Sequence, residues 1–192
     1  MGLTHEPEVK TLGLLGMGGI GTALARIAQP FELDLQYHNR NCVPEQQNAI
    51  RAKYVSFEDL FQTSDIISVH IPLNDGTRGL ISHKEFSMMK DGVVFVNTAR
   101  GPIVNEDALF EALERGKVWG AGLDVYEHEP DTHSGLMGSD NCVLLPHVGT
   151  AKVETQRKMG VLVVENVRSA LEKERLLTPV GETEKMINNG LY

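Results

Sequence analysis

Cysteine is scarce: the 192 residues include only Cys42 and Cys142, far apart and without C-x-x-C spacing. This argues against a disulfide framework or a zinc site, no metal is expected, and a reducing cytosol is the natural compartment. Positive charge is also in deficit, with 18 Lys and Arg against 26 Asp and Glu and a formal net charge of −8. No basic cluster offsets it, so a nucleic-acid surface is not expected. A small anionic substrate is still allowed, because one local Arg can override the average. A long apolar run is missing as well. The stretch from Leu12 to Ala28 is broken by glycines and too short to span a bilayer. The first ten residues, with His5, Glu6, Pro7 and Glu8, do not read as a signal peptide. Gly190-Leu191-Tyr192 is no peroxisomal address. Internal repeats and low-complexity linkers are absent, and only the tail after Leu177 reads as weakly structured.

Glycine, by contrast, is plentiful and placed to a pattern. Lys10-Thr11-Leu12-Gly13-Leu14-Leu15 reads as a short buried strand, Gly16-Met17-Gly18-Gly19-Ile20-Gly21 follows, and Thr22 to Ala28 continues as a helix. Strand, G-x-G-x-x-G and helix in that order form the dinucleotide-binding fingerprint. Gly16 lets the chain leave the strand sharply, and Gly18 keeps side-chain atoms away from a pyrophosphate. Gly21 is expected to bring the helix close to the sheet, and the free N–H groups at the helix start, around Gly19 and Ile20, face the anion.

Strand and helix signals then alternate. Further strands are predicted over Leu33–His38, Tyr54–Val55, Ile66–His70, Val93–Asn97, within Val118–Val125 and over Cys142–Leu145. Ser82 and Glu85 form a capping box for one helix, and Asn105 caps another that Gly116 ends. A long amphipathic helix is predicted from about Lys152 to Glu174, exposing Val161, Val164, Val167 and Leu171. Such alternation with short connections implies an α/β fold, a parallel sheet covered by helices on both faces. The expected division is 1–150 for a dinucleotide-binding domain and 151–192 for a C-terminal helix and tail.

In a sheet of this kind ligands sit at the carboxyl ends of the strands. Arg100, Glu129 and His147 each lie just past a predicted strand end. Arg100 can grip a carboxylate through a two-pronged, charge-assisted hydrogen bond. His147 can exchange a proton with a hydroxyl near neutral pH. A carboxylate beside it, Glu129, would hold its tautomer and favour its cation. His70 ends a strand near the cofactor face, where a structural hydrogen bond is expected; His5, His38, His83, His128 and His133 read as solvated.

The segments Phe95-Val96-Asn97-Thr98-Ala99-Arg100-Gly101, Gly122 to Pro130 and Pro146-His147-Val148-Gly149-Thr150 resemble the D-isomer-specific 2-hydroxyacid dehydrogenases. Ser68 to Leu73 and Thr77 to Ile81 are similar to that family's segment along the cofactor, so the resemblance runs from about Lys10 to Pro179. It implies a doubly wound parallel sheet of the Rossmann type. It also implies Arg100 as the group that binds and polarises a 2-oxoacid, His147 as acid/base and Glu129 as its partner. Asp124 would meet the nicotinamide amide, the backbone at Thr98 and Ala99 would line the cofactor, and His70, Pro72, Thr77 and Gly149 would lie along it. Members normally begin with a substrate domain to which the chain returns through its C-terminal helix. Here the chain is expected to hold the cofactor domain and that return alone. A homodimer is the family expectation.

The dinucleotide is chosen just past the second strand, where NAD sites carry an acidic residue about twenty positions beyond the glycines. Asn39 and Arg40 stand there instead. Neutral Asn39 does not repel a 2′-phosphate and Arg40 can pair with it, which favours NADPH over NADH; the alternative is an NAD site lacking the usual acid. The pattern resembles the glyoxylate/hydroxypyruvate reductases of the family. Three readings stand: a reductase of a small 2-oxoacid, a dinucleotide-binding remnant with little turnover, and a nucleotide-sensing interaction protein like the family's corepressors.

Overall fold

The structure, a computed structural model, describes residues 10–42, 50–173 and 175–180. The chain divides into two units, residues 1–147 and 148–192.

The first unit is built on a seven-stranded sheet whose strands all run parallel. In chain order they are β1 (Thr11–Leu15), β2 (Asp34–His38), β3 (Lys53–Tyr54), β4 (Ile66–Val69), β5 (Val93–Asn97), β6 (Val118–Leu123) and β7 (Cys142–Leu144). The spatial order is β3-β2-β1-β4-β5-β6-β7. The chain therefore runs outward from β1 on one side, crosses back, and runs outward on the other. Between β1 and β4 the direction of winding reverses, which opens a crevice at the strands' carboxyl ends.

Among the described residues the α-helices of this unit include α1 (Gly19–Ala28), α2 (Phe57–Thr63), α3 (His83–Met88), α4 (Glu106–Glu114) and α5 (Ser134–Met137). Side chains that alternate along β1 explain how both faces of the sheet are filled. Leu12 and Leu14 pack with Ala25 and Ala28 of α1. Leu15, out of phase with them, joins Leu60, Ile67, Val69, Phe95 and Leu109 in the larger core of the opposite face. Phe61 and Phe95 are fully buried, each contributing about 1.5–3 kcal/mol. Helix starts follow their capping signals. Ser56 accepts from the Asp59 N–H, Asn105 accepts from the Ala108 N–H, and Ser82 with Glu85 forms the expected capping box. Gly116, at φ 71°, ends α4 as predicted.

Strand and helix limits shift by a residue or two from the sequence reading, and α5 was not foreseen. Its cap is His133, whose Nδ1 accepts from the Leu136 N–H at 3.3 Å while Nε2 lies 3.0 Å from Asp107. His133 is thus a structural clamp rather than a solvated side chain. His38 is corrected likewise: Nδ1 lies 2.9 Å from the Val55 carbonyl and the ring stacks on Tyr54.

At the amino end of the sheet, Asp65 joins β1 to the loop before β5. It accepts from the Thr11 N–H at 2.9 Å and from Lys90 at 3.0 Å. Burial pushes its carboxyl up, but the Thr11 bond and the Lys90 charge outweigh that, leaving its pKa below the ordinary 3.8. A depressed folded-state pKa contributes stability above the unfolded value and loses it as pH falls through the folded one. Asp65→Asn is therefore expected to cost about 1 kcal/mol at neutral pH. In urea unfolding, the gap from wild type should close as pH drops below about 4.

The second unit is α6 (Val153–Lys173) and the segment that follows it. Asn166 accepts from the N–H groups of Leu177 and Thr178 at 3.0 and 3.1 Å and donates to the Thr178 hydroxyl at 3.0 Å. The stretch expected to be weakly structured is therefore tied down at its start. Val161, Val164, Val167 and Leu171 are exposed, as the periodicity predicted. Among the described residues no helix is long and apolar enough to cross a membrane.

Candidate dinucleotide and acid–base site

The turn from β1 into α1 forms one wall of the crevice. Gly16 sits at φ 106°, where only glycine is at ease, and a Cβ there would lie 2.8 Å from the His70 carbonyl carbon. At Gly21 a Cβ would meet the Gly16 carbonyl oxygen at 2.1 Å. Gly21 thus brings the helix close to the turn, not to the sheet as expected. Gly18 and Gly19 differ from both, because a Cβ on either would meet no protein atom within 4 Å. None of the described residues requires glycine there. A ligand approaching the backbone would, and α1 aims its free N–H groups into that same space. Ile20 is 72% exposed beside them.

The crevice is a cavity of about 690 Å³ lined by the glycine turn, His38 to Asn41, Phe57, His70 to Pro72, Asn74, Gly76, Thr77 and Leu80. Asn39 accepts the Met17 N–H on Oδ1 at 2.8 Å, bracing the turn. Its carbonyl takes the Tyr54 hydroxyl at 3.1 Å. Arg40 lies exposed at the rim. His70 bonds the Ser68 hydroxyl through Nε2 at 2.8 Å, the structural bond expected, and burial pushes its pKa below the usual imidazole value. Thr77 braces its own loop: its hydroxyl donates to the Pro72 carbonyl at 2.7 Å and accepts the Asn74 N–H at 2.8 Å.

Farther along the strand ends stand the chemical groups. The Arg100 guanidinium is exposed and donates to the Ala99 carbonyl at 2.6 Å. Thr98 is exposed, Ala99 half-buried, and Asp124 buried directly after β6. His147 Nδ1 lies 2.9 Å from Glu129 Oε2, while Glu129 Oε1 accepts the Tyr126 N–H at 3.0 Å. The His147 hydrogen bond, then the Tyr126 N–H, hold the Glu129 carboxyl below its ordinary range against a smaller burial effect; the Arg100 charge acts in the same direction. An ionised carboxylate only accepts, so Nδ1 carries the proton and Nε2 is the atom left for proton transfer. His147 adopts a left-handed conformation, φ 54°, at a cost of order 1 kcal/mol. Gly149 falls in the second unit.

Residues that sequence reasoning left without a role hold these groups. Tyr126 is buried, and its hydroxyl donates to the Leu145 carbonyl at 2.8 Å. Burial and the Asp124 and Glu106 carboxylates push that phenol up. Tyr126 therefore joins the strand end that bears His147 to the loop that bears Glu129. Gly101 lets the Arg100 loop touch that loop, since a Cβ there would fall 1.8 Å from the Tyr126 carbonyl carbon. A glycine directly after Arg100 was the available signal. A different hollow, about 500 Å³, lies between α3 and α4 and is lined by Asp91, Gly116 and Lys117, which precede β5 and β6. It is thus remote from the strand ends. Among the described residues no cluster of His, Cys, Asp or Glu could hold a metal ion.

Sheet order, crevice and glycine turn together define a dinucleotide-binding domain. Residues 2–149 match the family described as D-isomer specific 2-hydroxyacid dehydrogenase, NAD binding domain, and the chain belongs to that family. It is 49% identical over 185 residues to 4-methyl-2-oxopentanoate reductase A of Aspergillus oryzae, covering 96% of this chain and 56% of the relative. The crystal structure of a glyoxylate reductase from Paecilomyes thermophila superposes with a TM-score of 0.90 at 52% identity, covering 95% of this chain and 55% of that one. An NADPH-dependent glyoxylate/hydroxypyruvate reductase from Sinorhizobium meliloti, in complex with NADP and malonate, superposes at 0.85 with 35% identity, covering 91% and 54%. The chain thus spans about half the length of the relatives it matches. Its cofactor is a nicotinamide dinucleotide.

Proposed function

We propose that this chain is the cofactor-binding part of an oxidoreductase that reduces a small 2-oxoacid, such as glyoxylate or hydroxypyruvate, with NADPH. Gly16, Gly18, Gly19, Ile20 and Gly21 receive the pyrophosphate, and His70, Pro72, Thr77, Thr98, Ala99 and Asp124 flank the rest of the cofactor. When bound, the reduced nicotinamide supplies a hydride to the substrate's carbonyl carbon. Arg100 holds the substrate carboxylate and polarises the neighbouring carbonyl. His147 delivers the Nε2 proton to the carbonyl oxygen as it becomes an alkoxide, and the Glu129 carboxylate stabilises the imidazolium beforehand. The Glu129–His147 pair is the observation that carries this reading.

Asn39 supports NADPH. Its Oδ1 is committed to the Met17 N–H, so its free amide hydrogens are donors. Together with the Arg40 guanidinium they offer a 2′-phosphate what an acidic side chain would deny it. Fluorescence titration of the 192-residue chain is expected to give tighter binding for NADPH than for NADH. Arg40→Ala should weaken NADPH about tenfold, with NADH unchanged. Equal loss for both nucleotides would remove Arg40 from the 2′-phosphate.

One observation favours a second reading of the chain taken alone. The His147 and Glu129 side chains are 49% and 36% exposed, so water has ready access to the acid–base pair. Dinucleotide binding with little turnover fits that exposure, and NADPH consumption with glyoxylate as substrate separates the two. A cytosolic homodimer completes the proposal.

A further inference from the structure

We infer that Asn97 is the positioning residue for Arg100, an inference that rests on Arg100 being the group that grips the substrate carboxylate. Asn97 ends β5 and is 1% exposed. Its Oδ1 accepts the Ala99 N–H at 3.0 Å and its Nδ2 donates to the Arg100 carbonyl at 3.1 Å. The two bonds fall on the peptide before Ala99 and on the peptide after Arg100. The peptide between them carries the Ala99 carbonyl, and that carbonyl is the acceptor for the Arg100 guanidinium. One buried amide thus brackets the peptide unit that orients the arginine.

The orientation of the amide is chemically forced. A backbone N–H requires an oxygen and a carbonyl requires an N–H, so the side chain must offer one of each. Asp can satisfy only the first bond when ionised, and an apolar side chain satisfies neither. The main chain of Asn97 adds a further tie, since its carbonyl accepts the Asp124 N–H at 3.1 Å. Asn97 therefore fixes the Arg100 loop against the start of the β6 loop. An exposed arginine has many rotamers to lose, and a loop held this way removes the backbone part of that freedom before substrate arrives.

The test is ¹⁵N relaxation of the 192-residue chain, with no cofactor or substrate added. In the wild type, the Ala99 and Arg100 amides should show order parameters near the rigid value of about 0.85. The Arg100 Nε–H should be less mobile than that of Arg26, an exposed arginine on α1. Asn97→Asp keeps the Ala99 bond and loses the side-chain donor to the Arg100 carbonyl, which then retains only the longer bond from the Ile103 N–H at 3.3 Å. It should bring the Arg100 amide below about 0.6 and free its Nε–H, with β5 and β6 amide shifts unchanged. A purely structural role would disturb the strand amides and leave the loop's order in step with them. Arg100 as mobile as Arg26 in the wild type, or as rigid in Asn97→Asp as in the wild type, overturns the proposal. The wild-type comparison decides even where a variant fails to fold. Failure of the chain to bind a 2-oxoacid would instead count against the role given to Arg100, and is read in a separate titration.

Discussion

Gly101→Ala is expected to lower the unfolding free energy by about 3 kcal/mol or more, a large share of the 5–15 kcal/mol typical of a domain. The added Cβ would lie 1.8 Å from the Tyr126 carbonyl carbon and oxygen and 2.5 Å from the Glu127 nitrogen. All three are backbone atoms, so no rotamer change relieves the overlap and one loop must move. The φ of Gly101 is not in the left-handed region, which makes the cost a contact rather than a torsion. Either displacement separates Arg100 from Glu129 and His147, because Tyr126 holds the latter two in register. Denaturant titration reads the stability. An unchanged midpoint would show that these loops are not in backbone contact.

Gly18→Val should have the opposite signature, an unfolding midpoint close to wild type and dinucleotide binding weaker by about 100-fold. Gly18 has an extended backbone that valine adopts readily, and a Cβ there meets open space. The same space is where a pyrophosphate would approach the N–H groups at the start of α1. Blocking two charge-assisted hydrogen bonds costs about 3 kcal/mol, which is the stated factor. Calorimetry with NADPH and thermal unfolding on one preparation separate the effects. Loss of stability together with binding would mean that Gly18 serves the fold.

Much of this was legible in the sequence because the fold announces itself through local chemistry. Gly16 to Gly21 between an apolar run and a helix, Asn105 and Ser82 as caps, and Gly116 as a stop each fix one element with little tertiary help. Arg100, Glu129 and His147 were singled out for a topological reason, since each follows a strand whose carboxyl end lies on the same edge of the parallel sheet as the crevice. What escaped were bonds between residues distant in sequence. Tyr126 reaches Leu145, and His133 reaches Asp107, through loops whose paths no periodicity encodes. The role of Gly21 was misread because the sequence shows that the helix packs closely but not against what. Asn97 carried a motif position without a task until the turn it spans was in view.

Whether the crevice between β1 and β4 receives a nicotinamide dinucleotide is read from amide chemical shifts followed during NADPH titration of the 192-residue chain. Saturable shifts are expected at Met17, Gly18, Gly19 and Ile20, with Arg40 and Thr98 moving in step, and none at Glu111, Arg115 or Lys117 in the hollow between α3 and α4. Binding that leaves the glycine turn unmoved, or shifts confined to that hollow, would contradict that placement.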